Sequence, residues 1–87
     1  MNTTFLLLAE FGETDIPLEK VAEKYLALSR QEACSRAARC ALPFPAYRAG
    51  TTQKAPWVVR ITDLAEWLDR AREKGRAEWA KVNGRAG

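Results

Sequence analysis

The chain has 87 residues, 47% hydrophobic and 29% charged, with three Trp and a net charge of +3; that suffices for one small domain and is too apolar and aromatic for a disordered one. It contains no histidine, the commonest general base and metal ligand, so neither an enzyme nor a bound metal or cofactor is expected. No apolar run approaches the roughly 20 residues of a membrane span, and Phe5–Ala9 is too short and poorly flanked for a signal peptide, so a cytoplasmic protein without a membrane partner is expected.

Thr3 to Phe11 is apolar at nearly every position, so periodicity does not separate a short buried helix from a strand; a helix is the reading taken. Pro17 then suits a first helical turn. Leu18, Val21, Ala22, Tyr25 and Leu26 recur at helical spacing with Glu19, Lys20, Glu23 and Lys24 outward, which predicts an amphipathic helix over residues 17–26. Ala27-Leu28-Ser29 forms a short turn, and Ser29-Arg30-Gln31-Glu32 has the form of a capping box opening a second helix, residues 30–41. Ala33, Ala37 and Cys40 make its inward line; Gln31, Ser35 and Arg39 point away, flanked by Arg30 and Arg36. Cys34 and Cys40 on this helix would lie about 9 Å apart along its axis, beyond disulfide reach, and read as one core thiol and one groove-side thiol.

Pro43 and Pro45 are expected to stop that helix and impose extended chain. Ala46-Tyr47-Arg48 and Trp57-Val58-Val59-Arg60-Ile61 then read as a β-hairpin over residues 46–61, its tip polar and cationic at Gly50-Thr51-Thr52-Gln53-Lys54. Thr62 is the expected cap of a last helix, residues 63–82, with Asp63 in its first turn. Leu64, Trp67, Leu68, Ala71, Gly75, Trp79 and Val82 form its apolar stripe. That helix outruns the small core, so Trp79 and Val82 are expected to pack either on the first element or on a second subunit, which makes a homodimer an expected partner state.

Helix, turn, helix, hairpin, helix is the winged helix-turn-helix order, a mainly α fold with a small β-hairpin in a single domain over residues 1–87. Charge agrees with it. Residues 1–28 set two lysines against five carboxylates, a net of −3; residues 29–60 set six cations against Glu32 alone, a net of +5; residues 61–87 come to +1. The cationic surface thus lies where the fold would meet double-stranded DNA. In that geometry the second helix enters the major groove and the hairpin touches the flanking backbone. The expected DNA-binding residues are Ser29, Arg30, Gln31, Ser35, Arg36 and Arg39 on the helix, and Arg48, Thr51, Thr52, Gln53 and Lys54 on the wing. Arg can fork onto guanine or phosphate and Gln can pair bidentately with adenine. A lone exposed Arg is usually just solvated; three of them with a Gln and a Ser on one helix face shift the balance. The tip lacks the spacing of a phosphate-cradling loop, so nucleotide binding is rejected.

Ile16-Pro17-Leu18-Glu19-Lys20-Val21-Ala22-Glu23-Lys24-Tyr25-Leu26, the run Ala33 to Ala41 into Leu42-Pro43-Phe44-Pro45, Gln53-Lys54 before Trp57-Val58-Val59, and Asp63-Leu64-Ala65 together resemble the pyocin activator family, PrtN-like. Met1 to Gly12 and Glu78-Trp79 match it too, so the resemblance covers nearly the whole chain. The Leu-Pro-Phe-Pro and Gln-Lys elements are its most specific part; the helix-turn-helix is shared with excisionases and MerR-type domains. Residues Ala49-Gly50-Thr51-Thr52 depart from the family pattern and lengthen the wing tip. The resemblance implies a bacterial or prophage transcription activator of bacteriocin or phage-tail genes, at the nucleoid, with promoter DNA and RNA polymerase as partners. A phage excisionase that bends DNA, or a protein-interaction module such as an antirepressor or host-factor inhibitor, fits the same features.

Overall fold

A computed structural model describes residues 2–84. Four helices, α1 (Thr3–Phe11), α2 (Leu18–Val21), α3 (Arg30–Ala38) and α4 (Ile61–Asn83), surround three short strands, β1 (Asp15–Pro17), β2 (Tyr47–Arg48) and β3 (Trp57–Arg60). The strands form one antiparallel sheet in the order β1-β3-β2. The fold is therefore mainly helical with a small sheet, as the sequence predicts, in a winged-helix arrangement.

Local chemistry accounts for several element ends. Asn2 caps α1 by accepting the Phe5 amide at 2.8 Å, and Gly12 closes it in the left-handed region at φ 70°. The α2 helix runs on into a π-helical turn, Ala22–Leu26, closed by Ala27 at φ 55°. Ser29 Oγ accepts the Glu32 amide at 3.1 Å and so starts α3. The reciprocal half of the expected capping box is missing, because Glu32 Oε1 instead accepts Arg36 Nε one turn on, at 3.1 Å.

Other ends differ from the sequence expectation. The α3 helix stops at Ala38, before either proline, through a Schellman closure: Cys40 takes φ 54° and the Ala41 amide returns to the Arg36 carbonyl at 2.8 Å. That early stop takes Cys40 off the inward line and leaves it exposed, while Cys34 is half-buried. It also lets Phe44 turn back into the core, 5.2 Å from Trp67 in an edge-to-face pair. Pro17 is the last residue of a strand, at ψ 130°, and not a first helical turn. Thr62 lies inside α4, whose first residue Ile61 follows an Arg60 that offers no side-chain cap. The Ile61 amide is satisfied by the Thr14 carbonyl at 2.8 Å, so the chain entering β1 does the capping. Thr62→Ala is accordingly expected to change stability by no more than about 0.5 kcal/mol, where loss of a true cap would cost about 1; urea titration distinguishes the two.

Ile16, Leu18, Val21, Val59 and Leu64 are completely buried and form the centre of the core. Ile16 faces Val59 across the sheet, and α2, α3 and the first two turns of α4 close over that pair. The α1 helix lies against α4 with Leu7 inward and Phe5, Leu6 and Leu8 exposed. Beyond Leu68 the core ends: every residue from Asp69 to Trp79 is exposed. Trp79 is 62% exposed and Val82 87%, so α1 does not cover them.

Candidate nucleic-acid interface

One carboxylate joins the wing strands to β1. Asp15 on β1 accepts a hydrogen bond from the Tyr47 hydroxyl on β2 and another from Arg60 Nε on β3 at 2.6 Å, so one carboxylate ties all three strands together. The Tyr47 hydrogen bond first, and Arg60 second, hold the Asp15 carboxyl below its ordinary value of 3.8. A carboxyl lowered in the folded state stabilises the fold above its ordinary value, and that stability is lost as pH falls through the folded value. Asp15→Asn is therefore expected to lower the unfolding midpoint at neutral pH, and its midpoint should converge on that of the wild type as pH drops below 3.8. A constant gap between the two proteins throughout acid titration would contradict this role.

Arg48 is built into the wing. Its guanidinium donates to the carbonyls of Gln53 at 2.7 Å and Ala55 at 3.0 Å and lies 4.6 Å from the centre of the Trp57 ring. It thereby folds the tip, Ala49 to Pro56, back over β3. A Cβ at Gly50 would sit 3.0 Å from that of Ala55, so a larger residue there would have to push the two sides of the tip apart by a few tenths of an ångström. Thr51, Thr52, Gln53 and Lys54 remain exposed at the tip, with the Ala55 amide turned onto the Thr52 carbonyl. Of the wing residues predicted to meet DNA, then, Arg48 organises the loop and the other four occupy its surface.

On α3, Ala33 and Ala37 are buried, which leaves Gln31 and Ser35 at the centre of the outward face. Arg39, at the end of the helix, is exposed and forms no ion pair among the described residues. Arg36 is engaged by Glu32 on the far edge. Arg30 is on the edge facing the wing, its side chain 79% exposed, 3.7 Å from Glu19. A contact so exposed is worth little and is readily exchanged for a phosphate.

Between the α3 edge and the wing lies an open cleft of about 470 Å³, with Arg30, Cys34 and Glu19 on one wall and Arg48, Gln53, Lys54 and Trp57 on the other. Residues more than twenty positions apart, Arg30 and Lys54, thus share one surface. Sequence reasoning missed Glu19 as a member of this cleft; Cys34, left on the groove side once Cys40 is read as inward, lines it. Glu19 reads as an ordinary outward helix position, and nothing local signals that it approaches Arg30. Tyr47 and Arg60 were likewise not foreseen as partners of Asp15, because that contact exists only once the sheet is formed. Among the described residues there is no cluster of side chains suited to a metal ion, and no helix is long and apolar enough to cross a membrane.

The model of a family described as "Pyocin activator protein PrtN" matches residues 3–75. No curated protein and no solved structure matches the chain.

Proposed function

Because the chain belongs to the pyocin activator family, a family of transcriptional regulators rather than enzymes, we propose that it is a sequence-specific activator that binds double-stranded DNA, acting on bacteriocin or phage-tail genes. The α3 helix enters the major groove, where Gln31 and Ser35 read base edges and Arg39 forks onto a guanine or an adjoining phosphate. The wing tip lies along the flanking backbone, where Lys54 and the Thr51 and Thr52 hydroxyls meet phosphate oxygens. Arg30 leaves Glu19 for a phosphate at the mouth of the cleft. The observation that carries this reading is the shared surface of α3 and the wing tip, in which exposed cations, Arg30 on one side and Lys54 beside Gln53 on the other, flank one open cleft.

The test is fluorescence anisotropy with labelled duplexes from candidate promoter regions, over a series of salt concentrations. Each phosphate neutralised contributes a slope of about −0.9 in log affinity against log salt, so Arg30 and Lys54 together give about −2 per chain. Promoter fragments should bind more tightly than unrelated duplex of the same length. Absence of duplex binding at about 50 mM salt, or affinity indifferent to salt, overturns the proposal.

A further inference from the structure

The outer half of α4 has no use in the fold just described. From Asp69 to Trp79 it is exposed throughout, yet it carries a large apolar side chain at Trp79, another apolar one at Val82, and a glycine at position 75. Glycine weakens a helix interior relative to alanine, and a Cβ at Gly75 would meet nothing within 4 Å. Among the described residues, nothing within the single chain uses the space that Gly75 leaves.

At helical spacing Leu68, Ala71, Trp79 and Val82 all lie within about 40° of Gly75 around the axis, so they form one stripe centred on the glycine. The stripe is self-complementary. If a second α4 crosses antiparallel with the two-fold axis at Gly75, Trp79 of each copy falls opposite Ala71 of the other, and Val82 falls opposite Leu68. Large meets small at each level, and the two glycines allow close approach at the centre. The edges match as well. Lys74 comes beside Glu78 of the second copy, twice by symmetry, and neither residue has an ion-pair partner within its own chain among the described residues. On the other edge Arg72 reaches the level of the second copy's Trp79, whose ring face suits a guanidinium. The hydrogen bond of Thr3 to Asp69 sets the start of α1 at the base of this segment, and its Phe5 and Leu6 are exposed.

We propose that the protein forms an antiparallel two-fold homodimer through residues 68–82 of α4, centred on Gly75. The occupant of the exposed face is a second copy of this chain, because its stripe and its Lys74–Glu78 edge complement themselves. A helix pair of this length lies at the small end of specific interfaces, and dissociation in roughly the micromolar range is the expected result. Dimerisation through α4 is independent of DNA binding and is tested without DNA; where both hold, the dimer presents two recognition helices to paired half-sites.

Sedimentation velocity of the full chain, from about 5 to about 500 µM, reads the equilibrium. The wild type should shift from monomer to dimer across that range. Trp79→Ala, Gly75→Gln and Glu78→Lys should each weaken association at least about tenfold, Gly75→Gln while raising helix content by circular dichroism. Lys74→Glu combined with Glu78→Lys should restore the dimer, because the edge pair is re-formed with its charges exchanged. A wild type monomeric throughout, a dimer indifferent to Trp79→Ala, or a charge-exchanged variant that stays monomeric overturns the proposal. All four changes fall on exposed positions, and unchanged far-ultraviolet spectra of the Trp79 and Glu78 variants show that the fold is intact.

Discussion

Leu64→Ala is expected to lower the stability of the fold by about 2 to 5 kcal/mol, the range for deleting a completely buried leucine whose surroundings cannot collapse into the gap. Leu64 is 0% exposed and stands where the base of α4 meets the sheet and α2, beside Ile16, Val59 and Val21, each also 0% exposed. Three layers converge on it, so closing the cavity would require the helix, the sheet and α2 to move together, and the loss should lie in the upper part of that range. A domain of this size has a total stability of about 4 to 13 kcal/mol, which makes the variant partly unfolded near body temperature. Urea unfolding followed by tryptophan fluorescence measures it, since Trp67 is packed edge-on against Phe44 and Tyr25 and reports on the same core. A loss under about 1 kcal/mol would mean that the site repacks, and that the helix and sheet are less rigidly joined than their burial implies.

The second large effect concerns recognition. Under the DNA reading, Gln31→Ala and Arg39→Ala should each cost about 1 to 3 kcal/mol on the preferred duplex and little on unrelated duplex, because a base contact is worth something only against the right base. Lys54→Ala should weaken all duplexes alike and reduce the salt slope by about one, as a phosphate contact does. Arg48→Ala belongs to neither class. With its guanidinium bonded to the Gln53 and Ala55 carbonyls and stacked on Trp57, its loss should loosen the tip and depress binding indirectly, together with a change in the fluorescence of Trp57. Binding titrations of the four variants on a preferred and an unrelated duplex, each at two salt concentrations, separate these patterns. Should Lys54→Ala alter sequence preference while Gln31→Ala and Arg39→Ala leave it intact, α3 is not the helix in the groove.

Much of this architecture is encoded within a few residues of where it acts. The Ser29 cap, the alternation of buried and solvated positions from Leu18 to Leu26, the inward alanines of α3 and the β-rich run before Arg60 depend on neighbours no more than a turn away. They are legible without any fold, and together they give the helix and hairpin order, the polar face of α3 and the cationic tip. The stripe on α4 is legible for the same reason.

What the sequence leaves open depends on residues that meet only after folding. Strand β1 is three residues long and carries no periodic signal; it exists because Ile16 pairs with Val59 and because Asp15 accepts from Tyr47 and Arg60. The helix α3 ends at Ala38 rather than at the prolines, since Phe44 must reach Trp67. The start of α4 is satisfied by the Thr14 carbonyl, which makes the expected Thr62 cap superfluous. Arg48 holds the wing tip together because the hairpin turns Trp57 beneath it. Whether Trp79 is core or surface also follows from tertiary structure alone: α1 is only nine residues long and its start lies level with Asp69, so it does not reach the outer turns. Local spacing sets which face of a helix is apolar, whereas the length and placement of its neighbours decide whether that face is covered.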